Sequence, residues 1–381
     1  MHICYITNEF PKPGFPHGGV GTFIATLGKA LVLKGIQVSV VGLNYEDKDE
    51  KELIDGIHVS RLSRKRIQGL DWYFNSKVIN RAIQERHKEQ SIDVVETAEL
   101  GLGLINKIKG IKYVIRMHGG HHFFTKAENR PTEWRQVYLE KRSFAKADEI
   151  LAVSEYVKET TRNLVGLGNV PIKVIYNPVD VDKFNYKGEL EYKPYSIFFA
   201  GSIVEKKGIR QLVQALEYLI KDFPETHLYI AGRDALVPGT KSPYRPILEE
   251  AITKGIKKHI TFLGVIPNEG IPKYISEAAV CCYPSHMEAM PLAWLEVLAA
   301  GQIFVGATTG PGPEAVSHLK TGLLADPHNP KDIAEKIKWV FNHKEQAQEL
   351  GLAAREEVMN RFSIDVIVEE NLNFYRALCH N

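Results

Sequence analysis

The sequence predicts an α/β protein built from two domains, each a doubly wound parallel sheet. Three observations carry that expectation. Short apolar, β-branched runs alternate with stretches of helical period almost throughout, which is the pattern of parallel sheets covered by helices. The 381 residues exceed what one small core needs and suit two domains. A segment at 177–195, rich in Pro, Asp, Lys, Gly and Tyr and without clean periodicity, separates two such alternating series.

In the first series the expected strands are 2–7, 37–42, 93–96, 113–117, 149–153 and 173–176. Between the first two, Phe23, Leu27, Ala30 and Leu31 form one apolar stripe of helical spacing, with Gly35 as its stop. Ser154 directly follows a strand and suits an N-cap. The second series has expected strands at 196–200, 227–231, 260–263, 279–283 and 303–306. From Arg361 onward, Ile367, Leu372, Phe374 and Leu378 mark a final helix. The expected domains are therefore 1–185 and 186–360, with 361–381 as a terminal helix. There is no internal repeat and no low-complexity tract.

Composition narrows the function classes. The chain is 44% hydrophobic and 25% charged, as soluble globular proteins are. A formal charge of +2 gives no basic footprint for nucleic acid. The chain enters its first strand at once, without the charged and apolar regions of a leader, and no run approaches a membrane span. Cys4, Cys281, Cys282 and Cys379 form no Cys-x-x-Cys motif and read as inert thiols. The expected location is the cytoplasm, with peripheral contact at the inner membrane face as a further option.

The most informative motif is the pair Glu288 and Glu296, with seven residues between them, just after an apolar strand. Glycosidase carboxylates flank one bond roughly 5–10 Å apart. Eight residues of ideal helix would carry a side chain about 12 Å. Pro291 suits a first helical position, so Glu288 falls in the entry loop and Glu296 inside the helix. That geometry suits two carboxylates gripping different hydroxyl-bearing parts of one extended ligand. Two solvated glutamates on a surface helix are the alternative. The turn Thr309-Gly310-Pro311-Gly312-Pro313-Glu314 can offer converging backbone N–H groups to a diphosphate, or can be a rigid connector. Lys206-Lys207-Gly208 opens a helix, where a lysine can neutralise a leaving phosphate or simply be solvated; the Gly-Lys-Ser/Thr order of a Walker motif is missing.

In the first series, His17-Gly18-Gly19-Val20-Gly21-Thr22 lies between strand and helix. About ten residues intervene after the strand and Ile24 stands where a third glycine belongs, so a dinucleotide fingerprint is disfavoured. His118 sits at a strand's carboxyl end. A zinc reading with His121 and His122 lacks a neighbouring Cys or acidic ligand. Asp180-Val181-Asp182 beside Asn177-Pro178 reads as turn chemistry rather than a metal site. Arg61, Arg64, Lys65 and Arg66 precede Leu70, Trp72, Tyr73 and Phe74, a mixture suited to an anionic membrane surface or a lipid-linked acceptor, or to an ordinary charged loop.

Together these features resemble the retaining glycosyltransferases of family 4. The resemblance runs over most of the chain, through Gly18-Gly19-Val20-Gly21, Ala147-Asp148-Glu149 to Ser154, Asn177-Pro178-Val179-Asp180, Ala200-Gly201 with Lys207-Gly208, the Glu288 and Glu296 pair, and Pro313-Glu314. It implies the GT-B architecture, two facing Rossmann-like domains with a cleft between them and a C-terminal helix returning to the first. It implies that Glu288 contacts donor-sugar hydroxyls and Glu296 the ribose. Ala289, Met290, Pro291 and Leu292 would line the donor beside them. The backbone of Gly310, Gly312 and Glu314, with Lys207, would hold the diphosphate, and the base would lie near Gly264 and Val265. His118 would face the sugar near the reacting centre, and Gly19 and Gly21 would approach the phosphates. The family often has arginine after the glycine at position 201; this chain has Ser202, so Lys206 or Arg233 is the expected replacement cation.

The expected activity is transfer of a hexose, with retention, from a nucleoside-diphosphate sugar to a hydroxyl acceptor in polysaccharide or glycolipid synthesis. His118, Glu288 and Lys207 are the expected catalytic residues, and no cofactor or metal is expected. The partners are the nucleotide-sugar and a carbohydrate or lipid-linked acceptor, with domain closure orienting them. A nucleotide-sugar epimerase on the same architecture and a non-catalytic two-domain sugar-binding protein are the rivals.

Overall fold

A computed structural model describes every residue except Pro16, Tyr186, Lys187, Glu189, Leu190 and Asn381. The chain divides into two compact units, Met1–Pro178 with Ile364–Asn381, and Val179–Ser363. The division falls after Pro178, not after Asn185, and the returning segment begins at Ile364, not Arg361. Residue 186, where the second domain was expected to start, and residue 381 lie outside the described residues.

Among the described residues the first unit contains eight strands: β1 (His2–Ile6), β2 (Gln37–Leu43), β3 (Glu50–Ile54), β4 (Ile57–Leu62), β5 (Val94–Thr97), β6 (Lys112–Met117), β7 (Glu149–Ala152) and β8 (Lys173–Val174). Their order in the sheet is β3-β4-β2-β1-β5-β6-β7-β8, parallel except for the β3–β4 hairpin. All six expected strands are present, but the hairpin was not expected. Its edge strand Glu-Lys-Glu-Leu-Ile is largely exposed, so it lacks the apolar run that marks a buried parallel strand. Asp55 and Gly56, both at positive φ, form its two-residue turn.

The helix Gly19–Leu33 follows β1 and buries Phe23, Leu27, Ala30 and Leu31 on the sheet. Gly35 stops it at φ +78°. Ser154 Oγ accepts the Val157 N–H at 3.1 Å and caps the next helix as expected. The final helix, Ile364–His380, packs Ile367, Leu372, Tyr375 and Leu378 into the same core as Phe23 and Leu27.

A buried polar network pins that helix. Arg116 on β6 donates to Glu96 on β5 at 2.7 Å and to Asn371 Oδ1 at 2.5 Å. Tyr375 donates to Glu96 at 2.8 Å and meets the Tyr5 hydroxyl at 3.0 Å. Arg116 and Glu96 are 1% and 2% exposed, so neither charge can be left alone without a large desolvation cost.

Among the described residues the second unit has six strands: β9 (Lys193–Ala200), β10 (His227–Ala231), β11 (Ile260–Gly264), β12 (Ala278–Cys282), β13 (Phe304–Ala307) and β14 (Leu323–Ala325). The sheet is parallel throughout, in the order β11-β10-β9-β12-β13-β14. The three-residue β14 was not expected; Leu323-Leu324-Ala325 is too short to show a pattern. From β9 the chain winds outward through β10 and β11, then starts again on the other side with β12. The loops after β9 and β12 therefore diverge, and the crevice between them is where a doubly wound sheet takes a ligand.

Glu96→Ala should cost about 3–5 kcal/mol by leaving Arg116 buried and unpaired. Urea unfolding of the full chain measures this, and a loss below about 1 kcal/mol would show that Glu96 does not compensate that charge.

Candidate active site

In the second unit, the switch between β9 and β12 is closed by one tight contact. Gly208 lies at φ +66°, and a Cβ there would fall 1.8 Å from the Pro284 carbonyl oxygen, beyond the end of β12. Only glycine meets both conditions. The turn Glu205–Lys207 is thereby laid against the loop after β12, where the His286 N–H donates to the Lys206 carbonyl at 2.9 Å. Lys207 then forms an ion pair with Glu288, whose residue is only 8% exposed. One ammonium proton is engaged there, leaving two for other acceptors.

Glu288 lies in the loop before the helix Leu292–Ala299, and Glu296 is on that helix, as their spacing predicts. Pro291, expected at the first helical position, is instead the N-cap, and the helix begins one place later at Leu292. Ala289 and Leu292 are half-buried, while Met290 and Pro291 are buried. Glu296 keeps some exposed surface, yet burial of its carboxyl pushes it up to about 7, against the opposing pull of Lys183. The Tyr283 hydroxyl is nearby and accepts the Ala200 N–H at 3.2 Å.

The turn after β13 completes this side. Thr309 Oγ1 donates toward the Ser285 and His286 carbonyls, each at 3.2 Å, joining the turn to the Glu288 loop. Gly310 is at φ +64°. A Cβ on Gly312 would lie 1.8 Å from the Ala307 carbonyl oxygen, so close packing on the end of β13 accounts for that glycine. Glu314 is half-buried, and its carbonyl accepts from Arg361 at 3.1 Å.

The other side is built from the ends of β9, β10 and β11. The Gly201 N–H donates to Ala231 at 2.9 Å, and the Gly232 N–H to Gly264 at 2.7 Å. Ser202 is half-buried beside Gly201. Arg233 is exposed, with its carbonyl accepting from Ile203 at 2.9 Å, and Lys206 is half-buried on the Glu205–Lys207 turn. Gly264 sits at φ +70°, and Val265 is 73% exposed. Every expected donor-binding residue of this unit therefore lies at the carboxyl end of one of five neighbouring strands. A cavity of about 370 Å3 lined by Tyr192, Gln302 and Ile303 lies near the amino ends of β9 and β13, away from this constellation.

Two residues of the Glu288 loop escaped the sequence reading. Ser285 Oγ and His286 Nε2 are buried without a hydrogen-bond partner among the described residues. His286 stacks on His328 at 4.2 Å, and burial, then His328, lowers it to about 4. The signal was a polar Ser-His directly after a fully buried strand.

In the first unit, Gly19 and Gly21 open the helix after β1. The space beside Gly19 is empty, whereas a Cβ on Gly21 would lie 1.8 Å from the Glu9 carbonyl oxygen. Packing alone accounts for Gly21. Phe23 on this helix meets the His118 ring edge-on at 4.9 Å and lies against the Arg116 guanidinium at 5.0 Å. Burial and the Arg116 charge hold His118 down to about 3, a neutral imidazole at ordinary pH. Asp180 accepts the Asp182 and Lys183 N–H groups at 3.2 and 2.9 Å, an Asx turn. Arg61 does not belong to the basic-aromatic surface stretch: it is buried, bonded to Glu52 and, at 2.8 Å, to the Pro11 carbonyl.

Comparison with known proteins gives the family. The model for "Glycosyltransferase Family 4" matches residues 17–183, and that for "Glycosyl transferases group 1" matches 180–357. An uncharacterised glycosyltransferase of Methanocaldococcus jannaschii is 24% identical over 408 residues, covering 99% of this chain and 98% of the relative. Sucrose-phosphate synthase from Thermosynechococcus elongatus has a similar structure, with a TM-score of 0.83 at 20% identity, covering 99% of this chain and 98% of that one. HepE from Anabaena, solved with UDP and glucose, has a TM-score of 0.77 at 16% identity, covering 99% of this chain and all of its own (100%).

Gly208→Ala should destabilise the second unit by about 1–2 kcal/mol from the left-handed backbone alone, with the Pro284 clash in addition. A denaturant midpoint unchanged from the parent would show that the turn does not rest on Pro284 as described.

Proposed function

The chain belongs to the GT-B glycosyltransferases of the family 4 type, and we propose that it moves a hexose with retention from a nucleoside-diphosphate sugar to a hydroxyl acceptor, in polysaccharide or glycolipid synthesis. The observation that carries this reading is the Lys207–Glu288 pair closing the switch point of the second sheet. A lysine there meets the negative charge that grows on a departing diphosphate. Its partner carboxylate fixes the ammonium and keeps lone pairs for sugar hydroxyls. The Gly310 N–H adds a neutral donor for the same oxygens. Positions 311 and 313 are prolines, and the Gly312 and Glu314 N–H groups donate within the turn to Thr309 and Pro311 at 3.3 and 3.1 Å. Glu296 takes the ribose hydroxyls. The sugar C1–oxygen bond to the diphosphate breaks as the acceptor oxygen bonds C1 on the same face. The acceptor's proton leaves with the phosphate oxygen.

Charge neutralisation in this scheme comes from Lys207 and the Gly310 amide, with no metal or cofactor assigned. HepE, a protein of similar fold, was solved with UDP and glucose, which supports a nucleotide-sugar as the donor class. Arg233, exposed at the end of β10 with its carbonyl accepting from the Ile203 N–H beside Ser202, and Lys206, four residues on, are the cations proposed for the role vacated at Ser202. A rival epimerase would convert donor without any acceptor, and a binding protein would convert nothing.

A peripheral contact with an anionic membrane surface, the source of a lipid-linked acceptor, is a second part of this proposal. Arg135 lies against the Trp72 ring at 5.9 Å, bringing the exposed Trp134 (81%) and Tyr138 (55%) near Leu70, Tyr73, Lys65 and Arg66. Among the described residues no helix is long and apolar enough to cross a membrane.

Titration of nucleoside-diphosphate sugars followed by product analysis tests the first part. Glu296→Ala should weaken donor binding roughly tenfold or more, as loss of charge-assisted hydrogen bonds does. Lys207→Ala should lower kcat about 100- to 1000-fold, the cost of removing a leaving-group stabiliser. Unchanged donor affinity in the first variant would remove the ribose role. For the membrane contact, sedimentation with phosphatidylglycerol vesicles but not phosphatidylcholine vesicles is expected, reduced by Trp134→Ala; equal binding to both would count against it.

A further inference from the structure

Two carboxyl groups are buried together beneath the turn that carries His118. Glu99 follows β5 and is 2% exposed; Glu140, on the helix Trp134–Phe144, is 0% exposed. The backbone N–H groups of His118 and Gly119 face Glu99 and favour its charged form against burial. Glu140 bonds the His122 ring and accepts the His122 backbone N–H at 3.3 Å. Between them there is no room for a side chain. A Cβ on Gly120 would lie 2.0 Å from Glu140 Oε1 and 3.0 Å from Glu99 Cγ, so both acids flank one point. Gly119 enters that point at φ +92°.

The Oε1 atoms of both acids are buried without a hydrogen-bond partner among the described residues. Two ionised carboxylates placed so would repel in a medium that cannot screen them, and both orphan oxygens would stay unsatisfied. One proton resolves both defects. Carried by Glu99, it turns an orphan acceptor into a donor and gives Glu140 the partner it lacks.

We propose that Glu99, held in its acid form and donating to Glu140, is a positioning residue that fixes the His118–Gly120 backbone and, through it, the His118 imidazole. Burial first, and then the charge of Glu140, push Glu99 up to about 8, with the backbone N–H groups of the turn opposing. The groups facing it are Glu140 and its partner His122 from two helices, and His118 from the turn after β6. Burial, and then Arg116, hold that last imidazole neutral. The consequence for catalysis rests on the assignment of His118 to sugar transfer.

The sign follows from linkage. A carboxyl raised in the folded state contributes stability that is complete below its unfolded value and is lost as pH climbs to the folded value, then levels off. Gln is isosteric with the acid form: its amide N–H donates to Glu140 and its carbonyl accepts the turn's N–H groups. Glu99→Gln therefore abolishes the dependence, and Glu99→Ala removes the support.

The test uses the full chain as wild type, Glu99→Gln and Glu99→Ala, between pH 6 and pH 9.5. The Tm of Glu99→Gln minus that of wild type should grow up to about pH 8 and then stay constant. At each pH above 8, amides 118–122 should exchange faster in wild type than in Glu99→Gln, and in Glu99→Ala they should exchange faster throughout. In transfer assays, wild-type kcat should fall at least fivefold above pH 8 with donor KM unchanged, and Glu99→Gln should keep it. A Tm difference independent of pH, or equal exchange of the 118–122 amides in all three proteins, would overturn the proposal. If no protein transfers sugar while the exchange data behave as described, the functional reading fails and the positioning of the turn stands.

Discussion

Gly208 against the Pro284 carbonyl is the contact on which the second unit's chemistry depends. A parallel sheet that starts at its middle strand sends the loops after β9 and β12 in opposite directions, and nothing in the sheet itself joins them. A residue with no Cβ and a left-handed backbone lets the first loop press onto the end of the second. The bond from His286 to the Lys206 carbonyl, the Lys207–Glu288 pair and the tether from Thr309 all follow from that approach. A donor's diphosphate and sugar would then meet groups already held at their working positions, which saves the entropy of arranging them during reaction.

The first unit solves a different problem, holding polar groups in fixed states where water does not reach. Arg116 is buried, yet Glu96, Asn371, Tyr375 and the Phe23 ring surround it, and two of those partners come from the final helix. Burial and, after it, the same guanidinium keep the neighbouring His118 neutral. The C-terminal segment is thus tied to the electrostatics of the His118 turn, as well as covering apolar surface. A neutral imidazole can accept or donate a hydrogen bond at a sugar hydroxyl without placing a charge there.

Much of this architecture was legible because parallel strands are buried on both faces and announce themselves as apolar runs; all eleven expected strands exist. The misses have physical reasons. The edge strand Glu50–Ile54 carries charges because one side faces water, although Asp55-Gly56 was a readable hairpin signal. At the site, the spacing read together with Pro291 placed Glu288 in a loop and Glu296 on a helix. It did not foresee that Gly21 and Gly312 are explained by backbone packing, or that Arg61 turns inward. Nor did it pair Lys207 with Glu288, or Glu99 with Glu140, since residues so distant in sequence meet only through strand order.

In the proposed reaction the carboxyl ends of β9, β12 and β13 hold the diphosphate of an activated sugar. A crystal structure of the full chain with an unreactive nucleoside-diphosphate sugar measures it directly. The phosphate oxygens are expected within hydrogen-bond reach of Lys207 and the Gly310 amide, with the ribose hydroxyls on Glu296. A diphosphate bound at the amino ends of these strands, or away from Lys207 with the Lys207–Glu288 pair untouched, would contradict it.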